Sequence, residues 1–293
     1  MSNIKKAVIP CGGAGTRFLP ITKAVAKEIL PLIDTPVLGH IVTEAVDSGI
    51  TDILIIYAPG KEAIKNYFSP NKDLLKRLRD KGNSAYADML EKITSSAKFS
   101  FAIQEKPLGS GDALLYAEKF TSNDPFCLAF GDDLIYAADP VMGQMISAYS
   151  KAKKSLLGVQ TIEGPDISKY GVVDTKGAVL DGNRVVSAHD IIEKPEFNNA
   201  PSKLAALGRY VLEPNIYPLI KNLKPAKDGE LQLTDAFRIL CAKGMMSAYD
   251  FIGKRYDMGD KFGASVAMVD YALRSNEFGA RFKDYLKEFV KTL

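Results

Sequence analysis

The stretch that decides the fold is AVIPCGGAGTRFLP, residues 7–20: an apolar run that feeds directly into a glycine loop ending in Thr-Arg. A short apolar run stopped by glycines reads as a buried strand, and glycines at a strand end let backbone amides approach an anion closely. Three kinds of glycine loop compete for this pattern. A P-loop needs Lys-Ser/Thr directly after its last glycine, whereas Gly15 is followed by Thr16 and Arg17. A dinucleotide fingerprint needs a third glycine, and the chain reaches Phe18 instead. Asp34 stands ~20 residues on, at the distance of a ribose-binding acid, but it falls in PLIDTP rather than at the end of a second strand. The third reading is a strand-end loop around a nucleoside triphosphate, with Arg17 as a forked donor for phosphate oxygens. A plain strand-to-helix turn, which often carries glycine, is the alternative.

Outward from this loop the chain alternates. Apolar runs at 5–10, 52–57, 99–104, 125–130 and 155–161 read as buried strands. Helical patterns separate them at about 36–48, 61–68, 72–95, 111–120 and 140–153. The expected fold is α/β, a Rossmann-like, mostly parallel central sheet flanked by helices. The charged segment 72–95 is longer than a crossover needs and reads as an excursion from the sheet. From about 162 short β-like pieces at 171–174, 178–181, 184–188 and 204–212 suggest a small antiparallel lobe. Helical patterns return at 233–243 and from 261 to the end. No linker, low-complexity tract or fixed repeat is visible, so one domain of residues 1–293 is expected. Its parts are about 1–161, 162–253 and 254–293.

Composition removes several function classes. A net charge of +3 is too mild to indicate nucleic acid, though it suits a small anionic substrate. Cys11, Cys127 and Cys241 are odd in number and far apart, giving neither a disulfide framework nor a metal spacing. With only His40 and His189 present, zinc sites and Ser-His-Asp chemistry are not expected. No signal peptide opens the chain and no run approaches a membrane span, so a cytoplasmic protein without membrane contact is expected.

Further elements carry chemistry. QEKPLGSGDAL, residues 104–114, follows a strand and opens a helix. The Gln104 carboxamide offers a donor and an acceptor that suit a pyrimidine edge, while Gly109 and Gly111 allow close approach to a flat ring; Ser110 as a helix cap is the plainer reading. LAFGDD, residues 128–133, ends a buried strand in two carboxylates, and GKRYDMGD, residues 253–260, supplies another acid. Carboxylates at parallel strand ends suit Mg²⁺, although a cap explains such a pair too. SKYGVV and IIEKPEFNNAPSKLAALGRYVL add Gly171, Glu193 and Lys194, where an ordinary surface turn is the alternative.

The unit GGAGTRFLP…KEILPLIDTP resembles the signature of the sugar-1-phosphate nucleotidylyltransferases. The similarity spans nearly the whole chain and is nearest to the bacterial UTP–glucose-1-phosphate uridylyltransferases, with APSKLAALGRYVL, GELQLTDA and GKRYDMGD as markers. The resemblance implies that Gly12, Gly13 and Gly15 wrap the triphosphate and that Arg17 and Lys27 act on phosphate. It implies that Gln104 and Gly109 bind uracil or thymine and that Asp132 and Asp257 hold Mg²⁺. Gly171, Glu193 and Lys194 would then receive glucose 1-phosphate, and the reaction would give UDP-glucose and pyrophosphate. A thymidylyltransferase using dTTP and a non-catalytic nucleotide-sugar sensor are the alternatives. A homo-oligomer, dimer or tetramer, is expected. Ala26, Thr35, Ser110 and Asp112 depart from the family pattern. Asp112 reaches the ribose 2′-hydroxyl or caps the helix at 111–120.

Overall fold

Glycine, proline and asparagine stops cut the apolar runs into short elements. The computed structural model describes residues 4–226 and 229–293 and shows those elements in alternation. β1 (Lys6–Cys11) leads through single 3₁₀ turns to the pair β2 (Pro31–Leu32) and β3 (Thr35–Pro36). Then come α1 (Val37–Asp47), β4 (Asp52–Tyr57), α2 (Glu62–Phe68), α3 (Lys72–Asp80), α4 (Ser84–Ser95) and β5 (Lys98–Ile103). The short helices α5 (Gly109–Leu115) and α6 (Glu118–Thr121) precede β6 (Phe126–Ala129), β7 (Asp133–Tyr136), α7 (Val141–Ala152) and β8 (Ser155–Thr161). The second half holds β9 (Gly171–Asp174), β10 (Val185–Ser187), β11 (Asp190–Glu193) and β12 (Leu204–Leu212). It closes with α8 (Ile216–Lys221), α9 (Leu233–Ala242), β13 (Met246–Asp250), β14 (Lys254–Asp257), α10 (Lys261–Arg274) and α11 (Gly279–Val290).

Ten of the described strands form one sheet, with the path β10-β13-β8-β12-β6-β1-β4-β5 and with β9 and β11 attached beside β12. The pairs β1/β4, β1/β6, β4/β5 and β8/β13 are parallel. Successive side chains of a strand face opposite ways, so the sheet has an apolar layer on each side. Ile9 packs in one layer with Leu38, Ile41 and Ile55, and Val8 in the other with Leu54, Leu114 and Leu128. This double burial is why the strands read as unbroken apolar runs.

The structure departs from sequence expectation where tertiary pairing overrides local pattern. Strand 204–212 lies in the middle of the sheet, antiparallel between β6 and β8, rather than in a lobe added to it. A register shift between Ala206 and Tyr210 lets its first half also pair with β9. Residues 178–181 form no strand; the Asp181 carboxylate instead accepts from the amides of Asn183 and Val185 and builds a turn. The helical segment 72–95 breaks at Lys81–Asn83, where Gly82 adopts φ +77°, into α3 and α4. The terminal helix breaks at Ser275–Phe278, where Ser275 is extended, and the part that starts at 254 opens with a strand, β14. Strands β7, β11, β13 and β14 carry too few residues or too many polar ones to show a period of their own.

Candidate active site

β1, β4, β5 and β6 are parallel neighbours, so their C-terminal ends open on one edge of the sheet. Ligand sites of open α/β sheets lie at that edge. The glycine loop follows β1, Lys61 follows β4, Gln104 follows β5 and Asp132 follows β6.

Lys61 organises the loop from behind. Its ammonium donates to the carbonyls of Cys11 and Gly13, at 2.7 Å each, and to both carboxylate oxygens of Glu28, at 3.0 Å. Burial pushes the Glu28 carboxyl above the ordinary carboxylate range, while Lys61 and Lys27 pull it down. With its carbonyls drawn to Lys61, the loop is free to turn amides outward, as an anion cradle requires. On the other side Lys27 forms an ion pair with Asp132. Burial alone lowers the Lys27 pKa, but the charge and hydrogen bond of Asp132 outweigh it and leave the ammonium above its ordinary value.

The first cavity, of about 250 Å³, is walled by Gly12, Gly13, Lys27, Gln104, Pro107, Gly109, Ser110, Phe130 and Asp132, among others. Gly12 is required there: a Cβ would lie 2.5 Å from Gln104 Oε1. Gly109 stands at φ +94°, and a Cβ on it would meet the Leu231 carbonyl at 2.6 Å. Gln104 is buried and donates through Nε2 to Asp112 Oδ2 at 2.7 Å and to the Gly109 carbonyl at 3.2 Å. Ser110 caps no turn of its own; its hydroxyl accepts from the Leu233 amide at the start of α9.

The second cavity, of about 380 Å³, shares Ser110, Phe130 and Asp132 with the first. Its wall includes Arg17, Gly171, Glu193, Lys194, Thr234, Arg255 and Asp257. Antiparallel pairing of β9 with β11 sets Glu193 opposite Gly171. Glu193 accepts from Thr234 at 2.9 Å and pairs with Lys194 at 3.4 Å. Lys194 sits at φ +44°, a region unusual for a residue with a side chain. Its amide is held by the Tyr170 carbonyl at 3.1 Å.

Asp132 and Asp257 meet because β14 pairs with β7. The Met258 amide donates to the Asp132 carbonyl at 3.1 Å. A Cβ placed on Gly259 would lie 3.1 Å from Asp257 Oδ1, 3.2 Å from Arg17 Nη1 and 3.6 Å from Asp132 Oδ2, so the three side chains converge on one point. Arg17 donates to the Gly259 carbonyl at 3.0 Å and therefore lines the second cavity, not the first with Lys27. Gly15 lines neither; its carbonyl accepts from Thr22. No group of three His, Cys, Asp or Glu side chains among the described residues could hold a metal by itself. Two carboxylates alone suit a hard cation that completes its shell with phosphate and water.

Lys61, Glu28 and Thr234 escaped the sequence reading. The signal for Lys61 was its place just after a parallel strand end; Glu28 and Thr234 left none beyond adjacency to other motifs. Asp133, beside Asp132, is structural: its oxygens accept from Arg255 at 2.5 Å and from the Gly208 amide at 2.8 Å.

Comparison with known proteins gives the family. The nucleotidyl transferase family model matches residues 6–268, and the chain belongs to that family. It is 38% identical over 288 residues to the UTP–glucose-1-phosphate uridylyltransferase YngB of Bacillus subtilis strain 168, covering 98% of this chain and 96% of that one. Among solved structures it is similar to a UDP-glucose pyrophosphorylase complexed with UDP-glucose, with TM-score 0.83 and 35% identity over 93% of this chain and 100% of the other. It is also similar to a UTP-bound UGPase from Acinetobacter baumannii, with TM-score 0.87 and 33% identity over 97% and 99% of the two chains. Among the described residues no helix is long and apolar enough to cross a membrane.

Proposed function

We propose that this chain transfers a uridylyl group from UTP to glucose 1-phosphate, giving UDP-glucose and pyrophosphate. The observation that carries this reading is the junction of the two cavities at Asp132. One is walled by the glycine loop and Gln104, the other by Glu193 and Lys194. The UTP and UDP-glucose named for the solved neighbours support the same pairing of ligands, and the relatives' names favour uridylyl over thymidylyl transfer.

An oxygen of the sugar phosphate attacks the α-phosphorus of UTP in line. The new P–O bond forms as the bond from the α-phosphorus to the bridging oxygen breaks, and pyrophosphate leaves with that electron pair. The nucleophile is already an anion, so no general base is needed; positioning and charge neutralisation supply the rate. Gly12, Gly13 and Gly15 shape the loop around the triphosphate. Gln104 and Gly109 receive the base. Lys27 draws charge toward the leaving pyrophosphate from the first cavity, and Arg17, beside Asp132 and Asp257, neutralises phosphate charge from the second. Gly171 and Glu193 receive the sugar, and Lys194 offsets repulsion between the two anions. Mg²⁺, where bound, would be held by Asp132 and Asp257 and would neutralise phosphate charge.

With this reading go a single-domain organisation over 1–293, divided near 161 and 253, a cytoplasmic place and assembly as a homo-oligomer. Exposed Phe262, Tyr285 and Phe289 on α10 and α11 support assembly. Pyrophosphate release measured across UTP, dTTP, CTP, ATP and GTP, with glucose 1-phosphate or galactose 1-phosphate, tests the function. UTP with glucose 1-phosphate should give the highest kcat/KM. A preference for dTTP would replace the uridylyl assignment with the thymidylyl one.

A further inference from the structure

We propose that Asp112 is a positioning residue that fixes which edge of the Gln104 carboxamide meets the base, and so sets uracil against cytosine. The inference rests on the uridylyl reading above and extends it to a residue that touches no substrate.

The argument begins with Gln104 Nε2. Asp112 Oδ2 accepts from it at 2.7 Å and the Gly109 carbonyl at 3.2 Å. An ionised carboxylate and a carbonyl can only accept, so the NH₂ group must face them. Turning the carboxamide over would set Oε1 against two acceptors. Both protons of Nε2 are thereby consumed inside the protein, and Oε1 is left toward the Gly12 side of the first cavity. The ligand consequently meets an acceptor. Uracil presents an N3–H donor to it. Cytosine presents a bare N3, and two acceptors then face each other in a buried place, which is heavily penalised.

Two other roles for Asp112 fit the structure less well. Gln104 lines the first cavity but Asp112 does not, so the carboxylate lies behind the carboxamide rather than against a ribose. Asp112 is in the first turn of α5, yet its side chain bonds to Gln104 rather than to a backbone amide of the helix. A hydrogen bond to an ionised acceptor is also stronger than a neutral one, which suits a residue that must hold an orientation.

The test is kcat/KM for UTP, CTP and 2′-deoxyUTP with glucose 1-phosphate, on wild type, Asp112→Asn and Asp112→Ala. Asn is isosteric and can donate as well as accept, so it permits the turned carboxamide; Ala removes the charged acceptor. Each should lower the UTP/CTP ratio by ~10-fold or more, while the UTP/2′-deoxyUTP ratio holds. A thermal scan of Asp112→Asn should show a folded protein. An unchanged UTP/CTP ratio in both variants overturns the proposal. So does a fall in UTP/2′-deoxyUTP alone, which would make Asp112 a ribose contact. Wild type that turns over no UTP would overturn the uridylyl reading itself, and this inference with it.

Discussion

The two cavities are built in different ways. In the first, the polar groups are packed and mutually bound before any ligand arrives: Gln104 is 4% exposed, Glu28 1%, and the Lys61 side chain 11%. In the second, the Glu193 side chain is 42% exposed and that of Lys194 64%. Lys194 is held by its backbone, while among the described residues its ammonium reaches only its neighbour Glu193. The first cavity is thus a fixed mould, and the second is a set of groups on rigid strands whose charged tips still have to settle on a ligand. The difference follows from the sheet. Gln104 is buried directly at the end of a parallel strand, although Gly13, Pro59 and Glu105, beyond this and the neighbouring strand ends, are exposed. The β9/β11 pair hangs at the side of β12 and leaves its outer residues in water. Fixed donors contribute most where charge must be met without reorganisation, which places the larger catalytic effects on the first cavity and on its junction with the second.

The largest expected effect is therefore at the junction. Asp132→Asn removes a carboxylate that faces both cavities and leaves Lys27 without its partner. Turnover should fall by at least ~100-fold, read in a pyrophosphate-release assay. Near-normal turnover would show that the junction is not where the reaction is stabilised.

Next comes the support of the mould. Lys61→Met strips the loop carbonyls and Glu28 of their shared donor. Glu28, already pushed upward by burial, would take up a proton rather than remain charged, so the loss of stability should be about 2–3 kcal/mol, seen as a melting point lowered by several degrees. kcat should fall ~10-fold or more with saturating substrates, because the loop amides lose their orientation. A variant that melts earlier but keeps wild-type kcat would reduce Lys61 to a structural brace.

The smallest effect belongs to the open side. Lys194→Ala should raise KM for glucose 1-phosphate ~10-fold and leave KM for UTP within ~2-fold, since an exposed point charge adds binding more than transition-state stabilisation. Equal changes in both constants would erase the contrast between the cavities.

The strand ends that wall the first cavity were legible in the chain, because each is a local pattern. One strand, its glycine loop and Lys27 lie within residues 6–27, Gln104 and Asp132 follow strand ends, and Gly109 opens α5. Double burial makes β4 and β8 largely apolar, which is why they could be placed to the residue as 52–57 and 155–161. Tertiary structure alone decided the rest. The central place of β12 was hidden by Arg209, a charge that is fully buried only because Glu44 of α1 reaches it at 2.6 Å. Residues 257 and 132 are brought together at the end of the pairing of two four-residue strands, too short to leave a period in the sequence. Arg17 lies on the second cavity because the Gly259 carbonyl, more than two hundred positions away, accepts a hydrogen bond from it. Periodicity and glycine spacing report what neighbours in the chain do. Which distant carboxylate, carbonyl or carboxamide completes a polar group is settled only when the sheet brings strand ends together, since a buried polar atom takes the partner that packing sets beside it.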